Sequence, residues 1–149
     1  MKLSIERGAL LKSLAHVQSV VERRNTIPIL SNVLLDAGSG EVRLTATDLD
    51  IEIVDKVPAK ITRAGAVTAP AHMLYEIVRK LPEGAQVQIE HAGDDPRVLI
   101  SAGRSEFKLA SLPREDFPAM PAADMPHQFA MTVDALKRLI DRTRFAIST

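Results

Sequence analysis

The 149-residue sequence contains no cysteine, which rules out a disulfide framework, a thiol nucleophile and any Cys-based zinc site. It also lacks long apolar runs. No window approaches the roughly 20 consecutive apolar residues that a spanning helix needs. The N-terminal MKLSIERGALLKSL places Glu6 and Arg7 where a secretory signal requires an unbroken apolar stretch. These absences point to a cytoplasmic protein with no membrane partner. Catalytic and phosphate-cradling signatures are missing as well: there is no G-x-S-x-G elbow, no GxxxxGK[ST] and no GxGxxG. The four histidines, His16, His72, His91 and His127, show neither HxxxH nor HExxH spacing and fall in different predicted elements. The pattern is not that of an enzyme, and it implies no cofactor.

Net charge is absent too, since 19 basic residues balance 19 acidic ones. The balance is not local. Arg7 to Arg24 carries Arg7, Lys12, Arg23 and Arg24 against Glu22, a surplus of +3. Asp36 to Pro58 carries two cations against six carboxylates, a deficit of −4. Asp134 to Arg144 stands at +2 through Lys137, Arg138, Arg142 and Arg144. Predicted helices lean basic and predicted strands lean acidic, so a neutral total conceals a two-faced field.

What is present is a repeat. KLSIERGALLKSLAHVQSVV (2–21) is echoed by AVTAPAHMLYEIVRKL (66–81) and by FAMTVDALKRLIDRTRF (129–145). Each copy has alternating apolar residues, a polar or proline break, then apolar residues at helical spacing. Pairing Leu11/Leu14, Leu74/Ile77 and Leu136/Leu139 gives steps of 63 and 62 residues.

Taken in order, Leu3 and Ile5 predict a short strand, and the apolar spacing predicts a helix from Arg7 to about Val20. IPILSNVLLD (27–36) reads as a strand with Pro28 near its start. EVRLTAT and IEIVDKV alternate cleanly and complete a three-strand meander. KITRAG (60–65) reads as a connection to the second unit. There, Met73, Leu74, Ile77, Val78 and Leu81 form a helical stripe, and QVQIEH, RVLISA and SEFKLAS form three more strands. Ser111 to Pro126, with four of the nine prolines and no regular period, reads as a linker or extended edge segment. HQFAMTV and DALKRLIDRTRFAIS then open a third unit as strand plus helix. The expected architecture is α+β: two β-α-β-β-β repeats form one domain, with the helices on one face of antiparallel sheets. Residues 1–125 make that domain, in units of about 1–60 and 61–111, and 126–149 begin another, as in the N-terminal piece of a longer protein.

Three surfaces are candidates for function. Asp48, Asp50 and Glu52, at i, i+2 and i+4, are expected to share one strand face. A solvated acidic face is the plainer reading of them, and a divalent-metal site the alternative. The basic helix residues Lys12, Arg23, Arg24, Arg79, Lys80, Lys137, Arg138, Arg142 and Arg144, with His16 beside them, are either ordinary solvated helix faces or, if the helices lie side by side, one positive stripe. Such a stripe meets phosphates without reading bases. Phe107 and Leu109, alternating with Glu106 and Lys108, lie on the last strand before the linker; core packing is the plainer reading of them, and if that strand is an edge, it is a template for pairing with another subunit. An interaction module without DNA contact remains open on these residues alone.

MKLSIERGALLKSL, TIPILSNVLL, TATDLDIEI, LPEGA, GRSEFKLASLPREDFP and FAMTVDALKRLIDRTRFAIS resemble, in order along essentially the whole chain, the bacterial replicative sliding clamps, the β subunits of DNA polymerase III. The resemblance implies three similar domains per subunit and a head-to-tail dimer ring. Helices line the hole and sheets form the outer wall. The implied activity is mechanical: the ring encircles duplex DNA without sequence preference and tethers the polymerase. It also implies that Arg24 contacts DNA, and it assigns His72, which stands where some relatives carry a basic residue, to the DNA contacts with a dependence on pH. Met73, Arg104, Glu106, Phe107 and Leu109 are then assigned to the subunit junction, with Glu106 replacing an arginine of some relatives. The family's pocket for polymerase and clamp-loader peptides would lie beyond Thr149.

Overall fold

The computed structural model describes residues 1–22, 26–93, 95–118 and 126–147. Strand β1 (Lys2–Glu6) runs directly into helix α1 (Arg7–Val17), because Glu6 ends the strand and caps the helix. Its carboxylate accepts hydrogen bonds from the Gly8 and Ala9 amides, both at 2.8 Å. The helix is shorter than its apolar spacing predicts; a 3-10 turn, Gln18–Val20, takes over its last residues.

The predicted strand at 27–36 is half right. Pro28, which lacks an N–H, starts a 3-10 turn (Pro28–Ser31) that throws Ile29 and Leu30 inward, and β2 begins only at Asn32 (Asn32–Gly38). The meander continues through β3 (Glu41–Thr47) and β4 (Glu52–Pro58). Ser39 and Gly40, both at positive φ, make the tight β2–β3 turn. KITRAG is more than a connection: β5 (Lys60–Arg63) pairs antiparallel with β1, Leu3 opposite Ile61. The second unit follows as β6 (Gly65–Pro70), α2 (Ala71–Lys80), β7 (Gln86–Glu90), β8 (Arg97–Ala102) and β9 (Ser105–Ala110).

The two units interlock. One sheet has the order β5-β1-β7-β8-β9 and the other β4-β3-β2-β6. Each unit therefore lends its first strand to the meander of the other, β1 to β7 and β6 to β2. Neither unit can complete a sheet alone. Both sheets and both helices share one core, in which Leu3, Ile5, Leu10, Leu14, Val33, Leu44, Leu74, Val78, Ile89 and Ile100 are buried.

The caps correct the repeat register. Glu6 and Pro70 both stand at the helix N-cap, so the step is 64, not 63. Leu10 matches Leu74 and Leu14 matches Val78, all four fully buried, whereas Leu11 and Ile77 are half-buried flank residues. In the third unit Thr132 caps α3 (Val133–Thr143), which pairs Leu136 and Ile140 with the same core positions. Residues 126–132 form no strand, contrary to their alternation. In the first two units that strand pairs with the meander of a partner unit, and this chain supplies no such meander to the third. For the same reason α3 buries no residue, and Phe129, Val133, Leu136, Leu139 and Ile140 are exposed.

The segment after β9 is tied down where it is described. The Thr68 hydroxyl accepts from the Leu112 amide (2.9 Å) and donates to the Leu112 carbonyl (2.7 Å). Phe117 packs with Ile29 and Leu30 in a second small cluster, flanked by Leu34 and Leu112. The proline-rich remainder at 119–125 lies outside the described residues.

The acid side of the stability profile follows from Glu6. Its two amide hydrogen bonds hold its pKa below the usual glutamate range. A depressed carboxylate stabilises the fold above its unfolded value, and that contribution is lost as pH falls through the folded value. In thermal melts, Glu6→Gln is expected to lower the Tm at neutral pH, with the gap closing between about pH 5 and 3. A gap that stays constant into acid would contradict the cap's ionic role.

Candidate nucleic-acid interface

Helices α1 and α2 pack against each other, and α1 also lies along β3 and β4. Their ends show that they run antiparallel, because each helix start grips the other helix's end. Arg7, the first residue of α1, donates from Nε to the Val78 carbonyl (3.1 Å) and from Nη2 to the Arg79 carbonyl (2.6 Å). At the opposite corner His72, in the first turn of α2, places Nε2 2.9 Å from the Val21 carbonyl and Nδ1 3.1 Å from the Gln18 side-chain amide. A guanidinium at a helix C-terminus satisfies orphan carbonyls and complements the helix dipole. These reciprocal locks span 71 and 51 residues of sequence, and residue spacing alone gave no sign of them. The antiparallel pairing in register, Glu6 with Pro70, is the signal that could have found them.

The locks redistribute the predicted charges. Arg7 is spent on α2 and does not face outward as part of a stripe. Lys12, Arg79 and Lys80 are exposed, with Arg79 bound to Glu76 at 2.7 Å. Among the described residues Lys12 and Lys80 make no ion pair. His72 is half-buried with both ring nitrogens engaged inside the chain. Arg23 and Arg24 lie outside the described residues. Lys137, Arg138 and Arg142 are exposed on α3, which is not packed alongside α1 and α2, so the structure brings together two of the three helices of the predicted stripe.

On the sheet side, Asp48 and Asp50 do not share a strand face with Glu52. They sit in the β3–β4 connection, where Asp48 Oδ1 accepts from the Asp50 and Ile51 amides at 3.0 and 2.7 Å. That is turn chemistry, because a short carboxylate satisfies the backbone two and three residues on. Among the described residues no cluster of His, Asp and Glu is arranged to hold a metal.

Ser13, His16 and Asp55 do come together, where α1 meets β4. His16 Nδ1 is 3.5 Å from Asp55 Oδ2. Burial pushes the Asp55 pKa up, but it is outweighed by the neighbouring Ser13 hydroxyl, the Lys56 amide and His16, and the carboxyl titrates below the usual aspartate range. Ser13 Oγ is buried and makes no hydrogen bond among the described residues. Serine and histidine both turn to the aspartate instead of to each other, so no nucleophile is activated. The trio fastens the helix to the sheet.

The interface candidates divide. Strand β9 is a sheet edge, as expected. Arg104 and Glu106 are exposed at its turn and on its face, Met73 is 55% exposed, and Phe107 is half-buried. Leu109 is 4% exposed, so its side chain belongs to the core and only its backbone faces the open edge. Met73, Ile77, Lys80, Leu81, Ser105 and Phe107 line a groove of about 360 Å³ beside that edge. Ile77 and Leu81 were read from the sequence only as helix core.

Comparison with known proteins decides the family. The model of the DNA polymerase III beta subunit N-terminal domain matches residues 1–121. The chain belongs to this family. The beta sliding clamp of Caulobacter vibrioides is 60% identical over all 149 residues, which span 40% of that protein. The beta sliding clamp of Escherichia coli K12 is 39% identical over 99% of the chain and again 40% of its own length. Among solved structures, the Caulobacter crescentus sliding clamp superposes with a TM-score of 0.95 at 60% identity, over the whole chain and 40% of the clamp. A Pseudomonas aeruginosa clamp bound to griselimycin superposes at 0.93 and 41%, with the same coverage. The chain thus spans about two fifths of the length of the clamps it matches.

Proposed function

We propose that this chain is the N-terminal part of a replicative sliding clamp. Residues 1–125 form the first domain and 126–149 the opening of the second. The intact protein is a head-to-tail homodimer ring that encircles duplex DNA, slides without sequence preference and tethers the polymerase. The clamp itself makes and breaks no bond. Polymerase and clamp loader bind a pocket carried by parts of the protein beyond Thr149, and the ring works in the cytoplasm.

The observation that carries this reading is the interlocked two-unit domain. It puts an antiparallel helix pair on one side and leaves the meander strands β9 and β4 at one end of each sheet, with β5 and β6 at the other ends. A segment with an outer meander strand on each sheet and one helical side is suited to join its neighbours edge to edge into a closed wall. Lys12, Arg23, Arg24, Arg79 and Lys80 would face the duplex from this segment, and Lys137, Arg138 and Arg142 once α3 has its own domain. Met73, Phe107, Arg104, Glu106 and the Leu109 backbone belong to the subunit junction.

An isolated segment encloses nothing, so only charge holds it to DNA. Fluorescence anisotropy with the 149-residue chain is expected to find weak, sequence-independent binding that collapses between about 50 and 200 mM salt. Tight, salt-resistant or sequence-selective binding would overturn the reading.

A further inference from the structure

We infer that His72 is a positioning residue: it fastens the end of the first helix, and through it the basic segment that follows, without meeting phosphate itself. The inference rests on the proposed DNA-binding role of that segment. A carbonyl only accepts hydrogen bonds, so the proton facing Val21 O at 2.9 Å must sit on His72 Nε2. The other ring nitrogen meets the Gln18 side-chain amide at 3.1 Å. With both nitrogens engaged, the half-buried ring has no N–H left to offer a phosphate. Val21 is buried and Glu22 after it is exposed, and Arg23 and Arg24 come next in the sequence. Covalent geometry keeps Arg24 within roughly 11 Å of Val21, at about 3.6 Å per residue, so holding Val21 limits where both arginines reach.

The lock tolerates either charge state of the ring. Gln18 Oε1 faces Nδ1, and the protonated ring donates to it directly. In the neutral ring the Gln18 amide turns to present its N–H, and Nδ1 accepts. The titratable groups beside the lock are Tyr75 and Glu76, which line the same cleft, Glu76 being bound to Arg79, and Glu22, which follows Val21 in sequence. Positioning by His72 is therefore expected to persist whether the ring is neutral or protonated.

A positioning residue and a phosphate contact differ in salt dependence. For the 149-residue chain and a duplex oligonucleotide, His72→Ala is expected to weaken binding by roughly three- to tenfold, the net worth of about one hydrogen bond. The slope of log K against log salt should stay unchanged. His72→Gln, which keeps one N–H able to reach the Val21 carbonyl, should recover most of the loss and share the wild-type pH profile. A slope shallower by about 0.9, the signature of one lost phosphate contact, would overturn the inference, and so would wild-type affinity in His72→Ala. Nitrogen-15 NMR of the unliganded chain tests the lock itself. An Nε2–H tautomer with a slowly exchanging proton supports it, and an Nδ1–H tautomer overturns it whatever happens with DNA. If the unmodified chain bound no DNA, the DNA reading would fall and the positioning role with it, while the NMR result would still stand as a statement about the fold.

Discussion

Leu109→Asp will unfold much of this chain, and Phe107→Asp, two residues away on the same strand, will not. The sequence presents them as a pair on the β9 edge. The structure separates them, because Leu109 is 4% exposed and belongs to the shared core, whereas Phe107 is half-buried against the open groove. An aspartate at 109 places an unpaired carboxylate among apolar side chains and removes their packing, at a cost on the order of 4 kcal/mol. Domains of this size hold only about 5–15 kcal/mol in total, so the Tm should fall by roughly 15–25 °C. An aspartate at 107 loses partial burial, roughly 1–2 kcal/mol, and its carboxylate reaches water. In the intact protein Phe107→Asp should shift the ring toward monomers in light scattering while the melt of this domain falls by only about 4–12 °C. Equal melts for the two variants would refute the division of the strand. An unchanged dimer would remove Phe107 from the junction.

That division shows where residue pattern stops being informative. Alternation along SEFKLAS correctly marks a strand with Phe107 and Leu109 on one face. How deep each lies depends on the helix above them, set by contacts from far along the chain. The strand–helix–meander repeat was legible for a similar reason: each element carries its own period over enough residues to be counted. β5 was not, because four residues with Ile61 as the single apolar anchor have no period. The one-residue slip between units arose because Leu10 and Leu11 both fit a helical stripe, and only the caps at Glu6 and Pro70 decide between them. The alternation at 126–132 was real but insufficient, since a strand also needs a partner.

The candidate site was legible as composition and less so as geometry. Basic residues on helices and acidic residues in the meander could be tallied directly. The sequence did not reveal that Arg7 would be consumed by the α2 C-terminus, that His72 would be held by Val21 and Gln18, or that Asp48 would serve a turn. Each is a polar group satisfied by backbone, the ordinary fate of side chains near helix ends and turns. Their removal from the surface leaves Lys12 and Lys80 as the exposed helix cations of this domain without an ion pair among the described residues. The proposed DNA-facing charges of this domain, Arg23, Arg24 and Arg79 included, are expected to be too few to hold DNA by themselves at physiological salt.

Retention must then come from closure, and this is the largest effect the account expects. A protein gripping six to ten phosphates by charge alone loses about 10³–10⁵ in affinity between 50 and 200 mM salt. A closed ring around circular DNA is held by topology, which salt does not screen. The direct measurement loads the intact protein onto nicked circular DNA, raises the salt, and then linearises half of the sample. The clamp should stay with the circles through a gel-filtration column and run off the linear molecules. Equal loss from both, or equal retention on both, would contradict the reading of this chain as part of a sliding ring.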